Sequence, residues 1–286
     1  MKTIQIGWGS DKRMIEHNIL SKLDHVNVIQ IRESITNDSK GTMMMFQQLA
    51  IGGDMFSYLS QDHDYLQAIP ESEAVFALYQ ICSGLVYLHK RGIVHRDLKL
   101  DNILVTDVPI RYPRLVLGDF GIAKECPRVL IEDSQVSQGR PIAEGRFLMQ
   151  TLVGTAEYAA PEIGIGQEPK TREKKQGYSE KVDSWAVGVI AHILFSGVSP
   201  FYTSGGDIHD MQLLAKNGLK SHALEGHRWK SISVSAKDFV AAALRIDPHQ
   251  RPGVDALLRE PLFGASSRRR LLLQQGTEQL ASGRRL

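Results

Sequence analysis

A chain of 286 residues with 42% hydrophobic side chains can bury a sizeable core, as one large domain or two lobes sharing an interface, so disorder is not the default. Lys plus Arg total 34 against 32 for Asp plus Glu, a net charge of +2; no global field draws the chain to nucleic acid or an anionic membrane, and any anion site must be local. Cys82 and Cys126 make neither a disulfide framework nor a metal cluster and suit a reducing compartment, nuclear or cytoplasmic. The most apolar run, "WAVGVIAHILF", is too short to span a bilayer, and the start "MKTIQIGWGS" lacks a long apolar core with a small-residue cleavage site.

In chain order, "MKTIQI" reads as a short strand, and "KRMIEHNILSKL" places Ile15, Ile19 and Leu23 at helical spacing behind a cap at Ser10. "VIQIRESI" and "TMMMFQQL" flank the turn-rich "TNDSKG", the pattern of an antiparallel hairpin with a loop longer than two residues. From Glu71 to Arg91, apolar residues at 75, 78, 79, 82, 85 and 86 follow one helix face; Lys90 and Arg91 suit its negative end, and Gly92 stops it. Residues 183 to 195 are apolar nearly all round, as in a helix buried in the middle of a helical lobe. Residues 124–147 and 166–179 lack either periodicity and are expected to be surface loops. The tail with Arg268, Arg269 and Arg270 forms one helix or frays. The sequence has no internal repeat.

The chemistry concentrates in "GIVHRDLKLDNILV", residues 92 to 105, a polar loop between apolar ends. Asp97 and Asn102 stand five apart, which suits a carboxylate that orients a hydroxyl nucleophile and an amide that ligates a hard cation. Lys99 between them would meet a phosphate. "GDFG" follows the strand-like "RLVL", so Asp119 offers a second oxygen ligand at a strand end and Gly121 lets the backbone turn. Together these residues describe a magnesium nucleotide site.

"HRDLKLDN", "DFG" and "AAPE", in this order and spacing, resemble a eukaryotic serine/threonine protein kinase. The resemblance implies an α+β, bilobal protein-kinase fold: a partial small lobe over 1–49, incomplete because the first strands and the glycine-rich loop are absent; a helical large lobe over 50–263; and a polar, basic tail over 264–286. It implies ATP and Mg2+ as cofactors and protein substrates with Ser or Thr acceptors, since Lys99 in "DLK" and Thr155 in "GTAEYAAPE" mark serine/threonine kinases. It gives Asp97, Lys99, Asn102 and Asp119 catalytic roles, Asn102 and Asp119 holding metal. Glu16 becomes the helix glutamate that grips a strand lysine. Lys2, fourteen residues before it in "MKTI", is either that lysine or an exposed terminal one. Gln47 takes the gatekeeper position, Gln48 and Ala50 the backbone contacts to adenine, Asp54 a place near the ribose, and Leu104 the floor under the base. Asp183 and the pair of Glu162 with Arg251 are structural. "GWGS", with Gly7 and Gly9, lacks the third glycine of a phosphate lid and reads as a turn into the helix. A chain without that lid is expected to bind ATP poorly.

Within the kinases, "EHNILSKLDHVNVIQI", "GGDMFSYL" and "DFGIAK" are similar to the calcium/calmodulin-kinase-like checkpoint kinases of fungi, their meiosis-specific branch above all. That group carries a forkhead-associated domain ahead of the kinase, which is not found here. The resemblance further implies an activating kinase, or a second copy acting in trans, phosphorylating Thr151 opposite Arg96, with Ser134 and Ser137 as rival sites. It also implies substrates basic on the amino-terminal side, met by Asp54 and Asp101. It implies neither direct nucleic-acid binding nor a membrane. Two other readings stand beside it: a catalytically silent binding module, and a nucleic-acid binder working through "SRRR".

Overall fold

The computed structural model describes residues 2–5, 11–37, 42–60, 65–107, 112–125, 156–163, 179–203, 206–220 and 222–264. Ser10, Cys126, Ser134, Ser137, Thr151, Thr155 and the "GWGS" turn lie outside them, as do the basic tail and the side chain of Lys2.

Strands β1 (Lys2–Gln5), β2 (Ile31–Asn37) and β3 (Thr42–Gln47) form one antiparallel sheet in the order β1-β3-β2. The expected hairpin is β2 with β3, in register from Asn37 opposite Thr42 to Ile31 opposite Gln47, with a bulge between Ile31 and Glu33. Helix α1 (Asp11–Leu20) connects β1 to this hairpin. Among its described side chains the sheet buries little of its own: Met43 and Met45 form a small cluster against Ile31, and the middle of β2 is exposed.

The rest is helical. After α2 (Met55–Leu59) comes α3 (Glu71–His89), two residues shorter than its periodicity implies because Gly92, with φ of 72°, turns the chain where a side chain is disfavoured. Two short two-stranded antiparallel sheets follow: β5 (Ile103–Val105) pairs with β6 (Leu115–Leu117), and β4 (Ile93–Val94) with β7 (Lys124–Glu125). The last pairing corrects the sequence reading of 124–147, whose first two residues are strand. Isolated lysine and glutamate carry no strand periodicity; the partner Ile93–Val94 supplies the ladder.

Helix α4 (Lys181–Ser196) is buried from Val182 to its end and packs against α3 and against α6 (Val234–Ala243). Its apolar circumference requires a neighbour on every side. At Gly188 the helices approach so closely that a Cβ would stand 2.8 Å from the Leu244 side chain. Helices α5 (Ile208–Asn217) and α7 (Val254–Leu257) complete the chain. One buried cluster runs through all of this, from Ile19, Leu20, Leu23, Val28 and Ile29 to Phe239 and Phe263. Residues 19–29 thus share the core of the helical part, although the reading by resemblance groups them with the sheet.

Candidate active site

The loop between β4 and β5 is fixed from below by one buried carboxylate. Asp183, on the first turn of α4 and 1% exposed, accepts the backbone N–H groups of His95 and Arg96 at 2.9 Å each, and its Oδ2 meets His89 Nε2 at 2.8 Å. Burial pushes its carboxyl up, but the hydrogen bond and charge of His89, then the charge of His95 and the Arg96 amide, hold it below the ordinary aspartate value. These bonds restrain a turn in which Arg96 has φ of 69°, a left-handed conformation costly for a long side chain. His95 Nε2, fully buried, donates to the Gly118 carbonyl at 3.0 Å, and its ring lies 5.0 Å from that of Phe120. The two polar segments are therefore joined through their own buried residues.

Above this support stand the predicted groups. Asn102 Nδ2 donates to the Asp97 carbonyl at 2.7 Å and to Asp97 Oδ2 at 3.0 Å; Lys99 Nζ lies 3.5 Å from the same Oδ2. Asn102 spends its amide hydrogens on Asp97, so its oxygen is the atom it can offer a cation. Asp119 is exposed, has φ of 53° and accepts the Gly121 N–H at 3.3 Å. The β5–β6 pairing brings the two together, with Gly118 N donating to the Asn102 carbonyl at 2.8 Å. A carboxylate and a carboxamide oxygen form a hard donor set that fits Mg2+, which takes one or two protein oxygens and completes its shell with water and phosphate. In keeping with this, no three His, Cys, Asp or Glu side chains among the described residues could hold a metal by themselves.

The remaining predicted residues surround this centre. Leu104 is half-buried on β5 and bridges to Asp54. Asp54 caps α2, accepting Ser57 N–H at 2.8 Å and the Ser57 hydroxyl at 3.0 Å, so the cap uses both its oxygens. Gln48 N–H is tied to the Gln30 carbonyl at 2.8 Å, while the Ala50 carbonyl accepts Gly53 N–H at 3.4 Å. Glu16 is 4% exposed on α1; its pairing with Lys2 lies outside the described side chains. Arg96 Nε and Asp97 Oδ1 are both buried without a partner among the described residues.

The segment carrying "AAPE" docks on the same loop. Tyr158 bonds the Leu100 backbone; burial, then the charges of Glu157 and Asp101, raise its hydroxyl above the ordinary tyrosine value. Glu157 sits beside Asp101, its carboxyl raised mainly by burial. Farther down, Arg251 has a fully buried side chain and places all five N–H donors: on Glu162 Oε1 and Oε2 at 2.7 and 3.0 Å, and on the carbonyls of Lys181, Arg245 and Ile246. The fork geometry of the guanidinium makes this complete satisfaction possible.

Residues 2–263 match the protein kinase domain family. This chain belongs to the protein kinase family. Its relatives include the meiosis-specific serine/threonine-protein kinase of Saccharomyces cerevisiae, 38% identical over 244 residues, which is 82% of this chain and 45% of that protein. The meiosis-specific serine/threonine-protein kinase of Schizosaccharomyces pombe is 35% identical over 265 residues, 91% of this chain and 52% of that one. The human calcium/calmodulin-dependent protein kinase type IV is 31% identical over 254 residues, 88% and 46% respectively. The kinase chain thus spans about half the length of these relatives. No helix among its described residues is long and apolar enough to cross a membrane.

Sequence reasoning missed His89 and gave His95 no role. Both act on residues far along the chain, Asp183 and Gly118, and helical or strand periodicity carries no trace of such contacts. The buried amides Asn27 and Gln80 were missed for the same reason: Asn27 Nδ2 bonds Gln80 Oε1 at 3.1 Å and the Leu115 carbonyl at 2.8 Å, tying the segment after α1 to β6.

Proposed function

We propose that this kinase domain transfers the γ-phosphoryl group of ATP to serine or threonine hydroxyls of protein substrates. The observation that carries the reading is the triangle of Asp97, Lys99 and Asn102 on a loop whose backbone is pinned by buried Asp183. In phosphoryl transfer, positioning and charge stabilisation do most of the catalytic work. Asp97 orients the acceptor hydroxyl and takes its proton, and Asn102 fixes the Asp97 rotamer through the 3.0 Å bond. Lys99 steadies the transferred phosphoryl. Asn102 and Asp119 would hold Mg2+, which neutralises phosphate charge when bound. Glu16 with Lys2 fixes the upstream phosphates, Gln48 and Ala50 meet adenine through their backbone, Leu104 floors it, and Asp54 lies toward the ribose. The division into a small lobe over 1–49, a large lobe over 50–263 and a tail belongs to this reading.

A role in meiotic or checkpoint signalling is supported by the names of the two yeast relatives. Basic substrates are supported by Asp101 and Glu157, adjacent acids near Asp97, and by Asp54. Activation through phosphorylated Thr151 is supported by the buried Arg96 Nε, which has no partner among the described residues and which a phosphate oxygen would satisfy.

The test is Asp97→Ala in the full protein. Peptide phosphorylation should fall by roughly 10²-fold or more with the fold retained, since Asn102 Nδ2 keeps its 2.7 Å bond to the carbonyl of residue 97. Undiminished phosphorylation by that variant would refute the assignment.

A further inference from the structure

Gln80 is 1% exposed on α3, in the buried run that includes Leu78, Ile81 and Cys82. A methionine would fill this position with no hydrogen-bonding group to satisfy. The glutamine instead makes three bonds: Oε1 accepts Leu115 N–H at 2.9 Å and Asn27 Nδ2 at 3.1 Å, and Nε2 donates to the Pro113 carbonyl at 3.0 Å.

These bonds serve β6, whose three residues are each at most 1% exposed, so that its backbone groups must find partners inside the protein. One edge of β6 is paired with β5. On the other edge, Leu115 N–H meets Gln80 and the Leu115 carbonyl accepts Asn27 Nδ2 at 2.8 Å; Leu117 N–H goes to the Asn27 carbonyl and the Leu117 carbonyl accepts Ile29 N–H, both at 2.9 Å. Three of those four bonds belong to Gln80 or Asn27. Helix α3 presses on the same place, since a Cβ at Gly84 would stand 2.9 Å from both the Asn27 carbonyl oxygen and the Leu117 side chain.

Only Gly118 separates this strand from Asp119. Asn102 stands on the loop that rests on Asp183, whereas Asp119 follows a strand that rests on Gln80. The spacing of the two metal oxygens therefore depends on both supports, and Mg2+ accepts little error, demanding near-octahedral geometry at about 2.0–2.1 Å. We propose that Gln80, with Asn27 as its partner, is a positioning residue for the metal ligand Asp119, an inference that rests on the nucleotide site proposed above. It touches neither metal nor nucleotide and acts through the placement of β6.

The experiment titrates the full protein with Mn2+, standing in for Mg2+, beside a non-hydrolysable ATP analogue, reading free Mn2+ by electron paramagnetic resonance. Peptide phosphorylation is followed against free Mg2+ in parallel. Gln80→Met should weaken Mn2+ binding roughly tenfold, the low end for residues that orient metal ligands. It should raise the half-maximal Mg2+ concentration by a like factor and leave the rate at saturating Mg2+ unchanged. Asn27→Ala removes two of the bonds, carries the same expectation, and decides the matter if Gln80→Met does not fold. Val240→Ala, a core cavity on α6, should lower thermal stability without moving Mn2+ affinity. Unmoved Mn2+ affinity in the folded variant, an equal shift in Val240→Ala, or failure of both Gln80→Met and Asn27→Ala to fold would overturn the proposal. A wild type that binds no Mn2+ beside the analogue would instead overturn the nucleotide-site reading, and this inference with it.

Discussion

The catalytic loop and the amino-terminal sheet are built by opposite means. The loop from His95 to Asn102 has almost no regular structure, yet Asp183, His89, Gly118 and the core fix it at several points. The sheet has regular pairing along three strands, yet among the described side chains only Met43 and Met45 are buried in its cluster. Rigidity at the site comes from buried polar satisfaction, and regular hydrogen bonding without burial adds little of it.

That contrast predicts a ranking of substitutions. The largest effect should come from Arg251→Met, which leaves three backbone carbonyls and Glu162 without their donor; a loss of about 3–5 kcal/mol is expected from breaking one side of a buried pair, measured by urea unfolding. A loss below about 1 kcal/mol would remove buried polar satisfaction as the main support.

Next comes a pH effect inside α4. His192 donates from Nδ1 to the Val198 carbonyl at 2.8 Å and is 4% exposed; burial lowers it from 6.5 to about 4, against the bond to Val198. Its folded value lies below its unfolded one, so the unfolded state binds the proton first. The contribution is present above about pH 6.5 and is lost as pH falls toward 4, about 3 kcal/mol in all. In His192→Gln, stability should fall less steeply across that window; an identical slope would show that other groups carry it.

Met45→Ala should cost about 2 kcal/mol, the low end for a buried methionine, because the cluster around it is small and can collapse. Glu33→Ala, on the exposed middle of β2, should stay within about 0.5 kcal/mol. If the strand variant cost as much as the methionine variant, the sheet would be held by its ladder and the comparison would fail.

Legibility in the sequence followed the range of the interactions. Helices α3 and α4 and the β2–β3 hairpin were readable because burial on one face, or on all faces, leaves a local period. Asp97, Asn102 and Asp119 could be singled out because they stand in short polar motifs at fixed spacing, and the β5–β6 pairing brings the two motifs together. Strand β7, at Lys124–Glu125, was not, since a two-residue strand exists only through its partner. The capping use of Asp54 was open to a sequence reading, as an acid three residues before Ser57 is a cap signal, but the resemblance drew attention to the ribose instead.

Sequence alone determined the family, the longest helices with the β2–β3 hairpin, and the identity of the polar triad, because these depend on residue type at short range. Tertiary structure alone decided what Asp183 holds, which histidine pairs with it and which three carbonyls join Glu162 around Arg251. The pairs His89–Asp183, His95–Gly118 and Arg251–Glu162 join residues 23 to 94 positions apart, and their energies depend on burial and mutual geometry that no local pattern encodes.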